Sequence, residues 1–176
     1  MNNVNAKDTL DKCLVELENI DRLLDSLGDE AKPAPYLKKY SVIRASGSIE
    51  SSFKTIIADK VDDGSHVQLK NFIKRKVRNS SSNPRYDVIV GMLSEFDDRW
   101  KARFIEQLAL ADKPRLVEAL KRLVEARNSF AHGGDPDLGI AETLACFRDG
   151  MQVMQILDEA VHGTYDDEGG EQVGDE

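Results

Sequence analysis

The stretch DKPRLVEALKRLVEARNSFAHGGDP, residues 112–136, decides the fold. Its apolar positions Leu116, Leu120, Leu123, Val124, Phe130 and Ala131 recur three and four residues apart, the spacing that paints one stripe along a helix. Asp112-Lys113-Pro114 supplies a turn, a cap and a proline suited to the first helical turn, and Gly133-Gly134-Asp135-Pro136 ends the run. Arg127 falls on the same stripe, four residues after Leu123, where a guanidinium costs desolvation energy unless something pairs with it.

The pattern extends in both directions. Downstream, Ile140, Leu144, Phe147, Met151, Met154, Leu157 and Val161 predict a last helix before His162-Gly163. Upstream, Pro84 opens a long helix carrying Val88, Ile89, Met92, Leu93, Phe96, Trp100, Phe104 and Leu108. Ser65-His66-Val67-Gln68 has the spacing of a capping box and predicts a third helix that buries Val67, Phe72, Ile73 and Val77. Tyr36, Tyr40, Ile43, Ile49, Phe53, Ile56 and Ile57 describe a second helix, between a loop at Pro33 and Pro35 and a stop at Asp62-Asp63-Gly64. Leu10, Cys13, Leu14, Leu17, Ile20, Leu24 and Leu27 describe the first, which ends near Gly28. Nothing alternates with period two and no repeat recurs, so residues 1–162 read as an all-α bundle of five to six helices.

Composition sets the class. With 40% hydrophobic and 32% charged residues, 176 residues suit one domain with a core. The formal charge of −8 argues against bulk electrostatic coating of nucleic acid. Six acids and no base fall in residues 163–176, a segment expected to be a disordered, solubilising tail, which leaves 26 acids against all 24 bases elsewhere. Two unpaired-looking cysteines, no signal-peptide pattern and no apolar run near roughly 20 residues point to a reduced, cytoplasmic location without a membrane span.

Phosphate-loop, dinucleotide, zinc-protease and serine-hydrolase motifs are absent, and His66, His132 and His162 do not fall on one helical face, so neither cofactor nor metal is expected. Lys70, Lys74, Arg75, Lys76 and Arg78 fall in nine residues without an acid, a candidate surface for an RNA backbone and equally a plain solvated helix face. Trp100 on a long apolar stripe reads as core. His66 and His162, near helix ends, read as structural or exposed.

Arg127-Asn128-Ser129-Phe130-Ala131-His132-Gly133-Gly134 stands out, an Arg-x4-His pattern at the end of a late helix followed by one long amphipathic helix. A bland reading has Arg127 bonding a carboxylate inside the bundle and His132 closing the helix against its dipole. The motif and its context resemble the signature of HEPN domains, helical bundles found in many prokaryotic ribonucleases. Ile43-Arg44-Ala45-Ser46 running into Ser48-Ile49-Glu50-Ser51, and Asn83-Pro84 leading to Met92-Leu93, Phe96, Trp100 and Phe104, resemble the RiboL-PSP-type and neighbouring groups. The resemblance spans roughly residues 36–162 and leaves out the first helix and the tail.

That resemblance implies a metal-independent endoribonuclease, a toxin or phage-defence effector held in check by an antitoxin or other regulatory protein. Its active site is composite, one motif from each subunit of a homodimer. His132, with an ordinary pKa of about 6.5, would handle the proton when RNA is cleaved through its own 2′-hydroxyl. Arg127 would hold the charge that develops on the phosphorane, and Asn128 would orient the phosphate or the imidazole. Glu50 would pair with Arg127 and orient it, or else stand as a plain surface carboxylate. Five residues of regular helix put Arg127 and His132 about 140° apart, so either the helix ends between them or a second subunit contributes. Leu144, Phe147, Met151 and Met154 exceed what a small bundle readily covers, which places the expected dimer interface on the fifth and sixth helices. The competing readings are a noncatalytic HEPN-like antitoxin, regulatory or interaction module, and a structural dimerisation bundle.

Overall fold

The computed structural model describes residues 1–28, 31–131 and 138–163. The chain enters its first helix through Asn3, whose side chain accepts the Ala6 amide at 2.8 Å and satisfies a donor the helix itself cannot. Helix α1, Val4–Leu27, buries Ala6, Leu10, Cys13, Leu17, Ile20 and Leu24. It stops at Gly28, whose amide bonds the Leu24 carbonyl at 2.9 Å with φ at 83°, a backbone state that favours glycine.

Helix α2, Ala34–Asp62, runs antiparallel to α1 and takes Pro35 in its first turn. Its buried face differs from the expected stripe. Tyr36, Tyr40 and Ile43 are exposed, and the inward positions of that half are Ala34, Ser41, Val42, Ala45, Ser46 and Ser48. Small side chains let α1 approach closely, as the 3.6 Å contact from the Cys13 thiol to the Arg44 carbonyl shows, and the large ones are displaced to the flank. Tyr40 there donates to Glu16 of α1.

Helix α3, Val67–Ile73, passes into a π-helical turn over Lys74–Arg78, closed by the Asn79 amide on the Lys74 carbonyl at 3.0 Å. The expected capping box does not form. The Ser65 hydroxyl bonds back to the Val61 carbonyl of α2, and α3 starts after His66 with no side-chain cap. Ile73 and Val77 pack inward on Ala58, whereas Val67 and Phe72, expected in the core, are exposed. A helix this short can turn only one narrow face to the bundle.

The single long helix expected after Pro84 is two, α4 Tyr86–Phe96 and α5 Asp98–Leu110. Asp97 breaks them: its backbone is extended and its carboxylate accepts the Arg99 amide at 2.8 Å, an N-cap that competes with continuation. Helix α6, Lys113–Ala131, begins with the Arg115 amide on the Asp112 carboxylate at 3.3 Å. Helix α7, Ile140–His162, begins with Glu142 accepting the Gly139 amide at 3.2 Å. The described residues thus form seven α-helices and no strand, the all-α bundle expected, with one more helix than the largest number anticipated.

Helix α7 is the hub and packs on α1, α2, α5 and α6. Its contact with α2 is tight enough that a Cβ on Gly150 would lie 2.8 Å from the Cδ1 of Ile49. Leu144, Phe147 and Met154 are buried within the chain, and only Met151 is partly covered, so the stripe that suggested a dimer interface is satisfied by the fold itself. At its far end the wholly buried Asp158 accepts the backbone amides of Asn2 and Asn3, the latter at 3.0 Å. No described helix is long and apolar enough to cross a membrane.

Candidate functional site

Arg127 lies near the end of α6, where the inward stripe meets solvent, and its side chain is 41% exposed. Its Nη1 donates to the Oδ1 of Asn83 at 2.8 Å, and its Nη2 lies 3.9 Å from the Oε2 of Glu50 on α2. Glu50 is more closely engaged from its own helix. Lys54, one turn on and only 9% exposed, donates to its Oε1 and also to the Ser80 carbonyl. The Ser80 hydroxyl in turn bonds the Val77 carbonyl at 2.8 Å and lies 3.0 Å from the Ser82 hydroxyl. One cluster therefore ties α2, the segment after the π turn and α6 together through two cations, one carboxylate and one amide.

The charge arithmetic gives this cluster its character. Lys54 is the close counter-ion of Glu50, so the carboxylate at 3.9 Å neutralises Arg127 only in part, and the other partner of Arg127 is the neutral Asn83. The cluster carries one net positive charge and presents a planar, permanently protonated donor at its rim. Such an arrangement can receive an oxyanion such as a phosphate.

Asn128 follows on α6 and is half-buried. His132, the residues that follow it up to Asp137 and the acidic tail lie outside the described residues. The helix itself continues regularly past Arg127 to Ala131. Of the basic run, Lys70, Lys74 and Arg75 are exposed. Arg78 turns the other way, bonding Asp59 at 2.6 Å and Asp62 at 2.8 Å, and it lines a cleft of about 490 Å³ walled by Asp59, Asp62 and Asp63. Burial pushes the Asp59 carboxyl up, but hydrogen bonds from Arg78, Asn3 and Asn5 outweigh it and hold the group below the usual carboxylate range. The guanidinium of Arg78 is thus committed to a structural cluster.

Trp100 is buried. His66 is exposed, and His162 sits 3.2 Å from Asp158. Both thiols are buried, and burial raises their pKa. Among the described residues no three His, Cys, Asp or Glu side chains converge as a metal would need. Sequence reasoning did not assign Lys54 or Asn83 to the site. The Glu50–Lys54 spacing of four on a helix was a readable signal, whereas the long-range closure of Asn83 on Arg127 was not.

The described residues form an all-α bundle, the class of fold to which HEPN domains belong. The sequence profile of the RiboL-PSP-HEPN family matches residues 8–163, and the chain belongs to that family. The match takes in nearly all of α1, which the sequence reading left outside the resemblance. No curated protein and no solved structure matches the chain.

Proposed function

We propose that this protein is a metal-independent endoribonuclease of the HEPN type, acting as a toxin or phage-defence effector under a protein antitoxin or regulator. The observation that carries the reading is the incomplete neutralisation of Arg127: Glu50 is engaged by Lys54, and the guanidinium stays half exposed. In the reaction, the 2′-hydroxyl oxygen attacks its own phosphorus, the bond to the 5′-oxygen breaks, and a 2′,3′-cyclic phosphate and a free 5′-hydroxyl result. Arg127 stabilises the charge on the non-bridging oxygens, and His132 takes the proton from the nucleophile or gives one to the leaving oxygen. Asn128 orients one of the two. A composite site in a homodimer supplies the second motif.

A noncatalytic HEPN module has its own support, since the Arg127–Asn83 bond also braces α6 against the segment before α4. The deciding experiment is incubation of the purified full chain with RNA in excess chelator, with end-group analysis and light scattering at tens of micromolar. The ribonuclease reading expects cleavage with cyclic phosphate ends. It also expects a loss of about 10²-fold or more in His132→Ala with unchanged melting. A His132→Ala protein that cleaves at the parental rate, or a wild-type chain that never cleaves, leaves the module as the better account.

A further inference from the structure

We propose that the outward face of α3 and the π turn is a docking surface for single-stranded RNA, on which Phe72 stacks an unpaired base while Arg75 and Lys76 hold the flanking phosphates. Of this segment only Ile73 and Val77 are buried, and Arg78 turns back to Asp59 and Asp62 of α2. The side chains left outside are unusual for a solvated helix: Phe72 is 55% exposed, Val67 63% and Leu69 42%. Between Val67 and Arg78 there is no acid. Many surface cations elsewhere pair with neighbouring carboxylates, as in Lys7–Asp11, Lys12–Asp8, Arg122–Glu142 and Arg148–Glu18. Here the chain leaves Lys70, Lys74, Arg75 and Lys76 exposed, the last two beside the ring of Phe72.

A ring with Arg75 and Lys76 three and four residues on, hence beside it on the helix surface, matches the alternation of base and phosphate along a single strand. A duplex hides the base faces that Phe72 would contact, and an acidic polypeptide offers the charges without the bases. The surface also leads to the Arg127 cluster. From Lys74 the chain passes through Ser80, gripped by Lys54, to Asn83, which holds Arg127, and at most about 30 Å of backbone separates Lys74 from Asn83. The path onto Arg127 rests on the ribonuclease reading above, whereas binding at the α3 face is testable without it.

The test is fluorescence anisotropy of a labelled 12-nucleotide 2′-O-methyl oligouridylate, which lacks the nucleophile and cannot be cut, with the full-length chain. The expected result is binding at least about tenfold tighter than to a 2′-O-methyl duplex of the same length. Phe72→Ala should weaken it about tenfold and Phe72→Trp should retain it. Arg75→Gln with Lys76→Gln should lower the slope of log affinity against log salt by about 1.4. These side chains are exposed, and an unchanged melting curve shows that each variant folds. Binding indifferent to Phe72, or equal displacement by polyglutamate of matched charge, overturns the proposal and marks the face as a site for an acidic protein. Loss of cleavage with binding intact would sink the ribonuclease reading alone, and cleavage with no α3-dependent binding would sink this one alone.

Discussion

Lys54 is the residue whose removal should tell most about how the Arg127 cluster is held. Lys54→Met keeps the length of the side chain and removes the ammonium. Three consequences follow from the geometry. The charge-assisted hydrogen bond to Glu50 is lost, a contact worth about 1.5–3 kcal/mol. The Ser80 carbonyl loses its donor, and Glu50, only 17% exposed, is left with Arg127 at 3.9 Å. That remaining pair has a gross attraction of about 4 kcal/mol at an effective dielectric constant near 20, but the exposure of Arg127 screens most of it. Against these losses stands relief from burying an ammonium. Breaking a fully buried pair costs about 3–5 kcal/mol, and this one is not fully buried, so a net cost of about 2–3 kcal/mol is expected. For a domain of this size that lowers Tm by about 5–10 °C. The assay is thermal unfolding by circular dichroism of Lys54→Met, Glu50→Gln and the double variant. The double variant should recover about 1 kcal/mol or more relative to the sum of the singles. A Lys54→Met melt within about 1 °C of wild type, or strict additivity in the double variant, would refute the view that Lys54 and not Arg127 is the principal counter-ion of Glu50.

Gly150→Ala should destabilise by about 1–2 kcal/mol, because the new Cβ meets the buried Ile49 at 2.8 Å while helix propensity returns about 1 kcal/mol; adding Ile49→Val should restore most of the loss in urea unfolding. For Asp59, whose folded carboxyl titrates below its unfolded value, the stabilisation is complete above an unfolded pKa of about 3.9 and is lost as pH falls through the lower folded value. The stability gap between wild type and Arg78→Gln, about 1–2 kcal/mol, should therefore be flat above about pH 5 and shrink below about pH 4, as followed by urea midpoints across that range.

The helical class was legible because apolar spacing is a local property, and most of the expected stripe of α1 and α7, and Leu116, Leu120, Leu123 and Val124 of α6, are buried. Where the reading failed, a competing local bond or a steric limit intervened. Asp97 reads as an ordinary polar residue on a helix surface, and only its bond to the Arg99 amide reveals it as a cap. Tyr36, Tyr40 and Ile43 look like the inward face of α2 by hydrophobicity alone. The requirement for close contact with α1 selects serine and alanine instead, and a pattern read from one helix carries no information about the distance to its neighbour. The site divides in the same way. Arg127 and Glu50 were nameable from the sequence, and their approach to 3.9 Å is a tertiary fact. Asn83 closing on Arg127 across 44 positions, and Arg78 leaving the basic run for Asp59 and Asp62, depend on where the loops carry the chain.

The position of α7 has a consequence for how the protein is made. The helix that every principal layer packs against is the last one described, and the carboxylate that latches the first residues, Asp158, stands 155 positions after Asn3. While the ribosome is still extending the chain, α1, α2, α5 and α6 expose the apolar faces that α7 will cover, and the amides of Asn2 and Asn3 have no acceptor there. Closure must wait for the whole bundle to emerge, and contacts of such long sequence separation form late. A nascent or truncated chain lacking α7 is accordingly a sticky intermediate for chaperones to hold, and a stall at a codon after Ala131 would leave α1, α2, α5 and α6 without their shared centre.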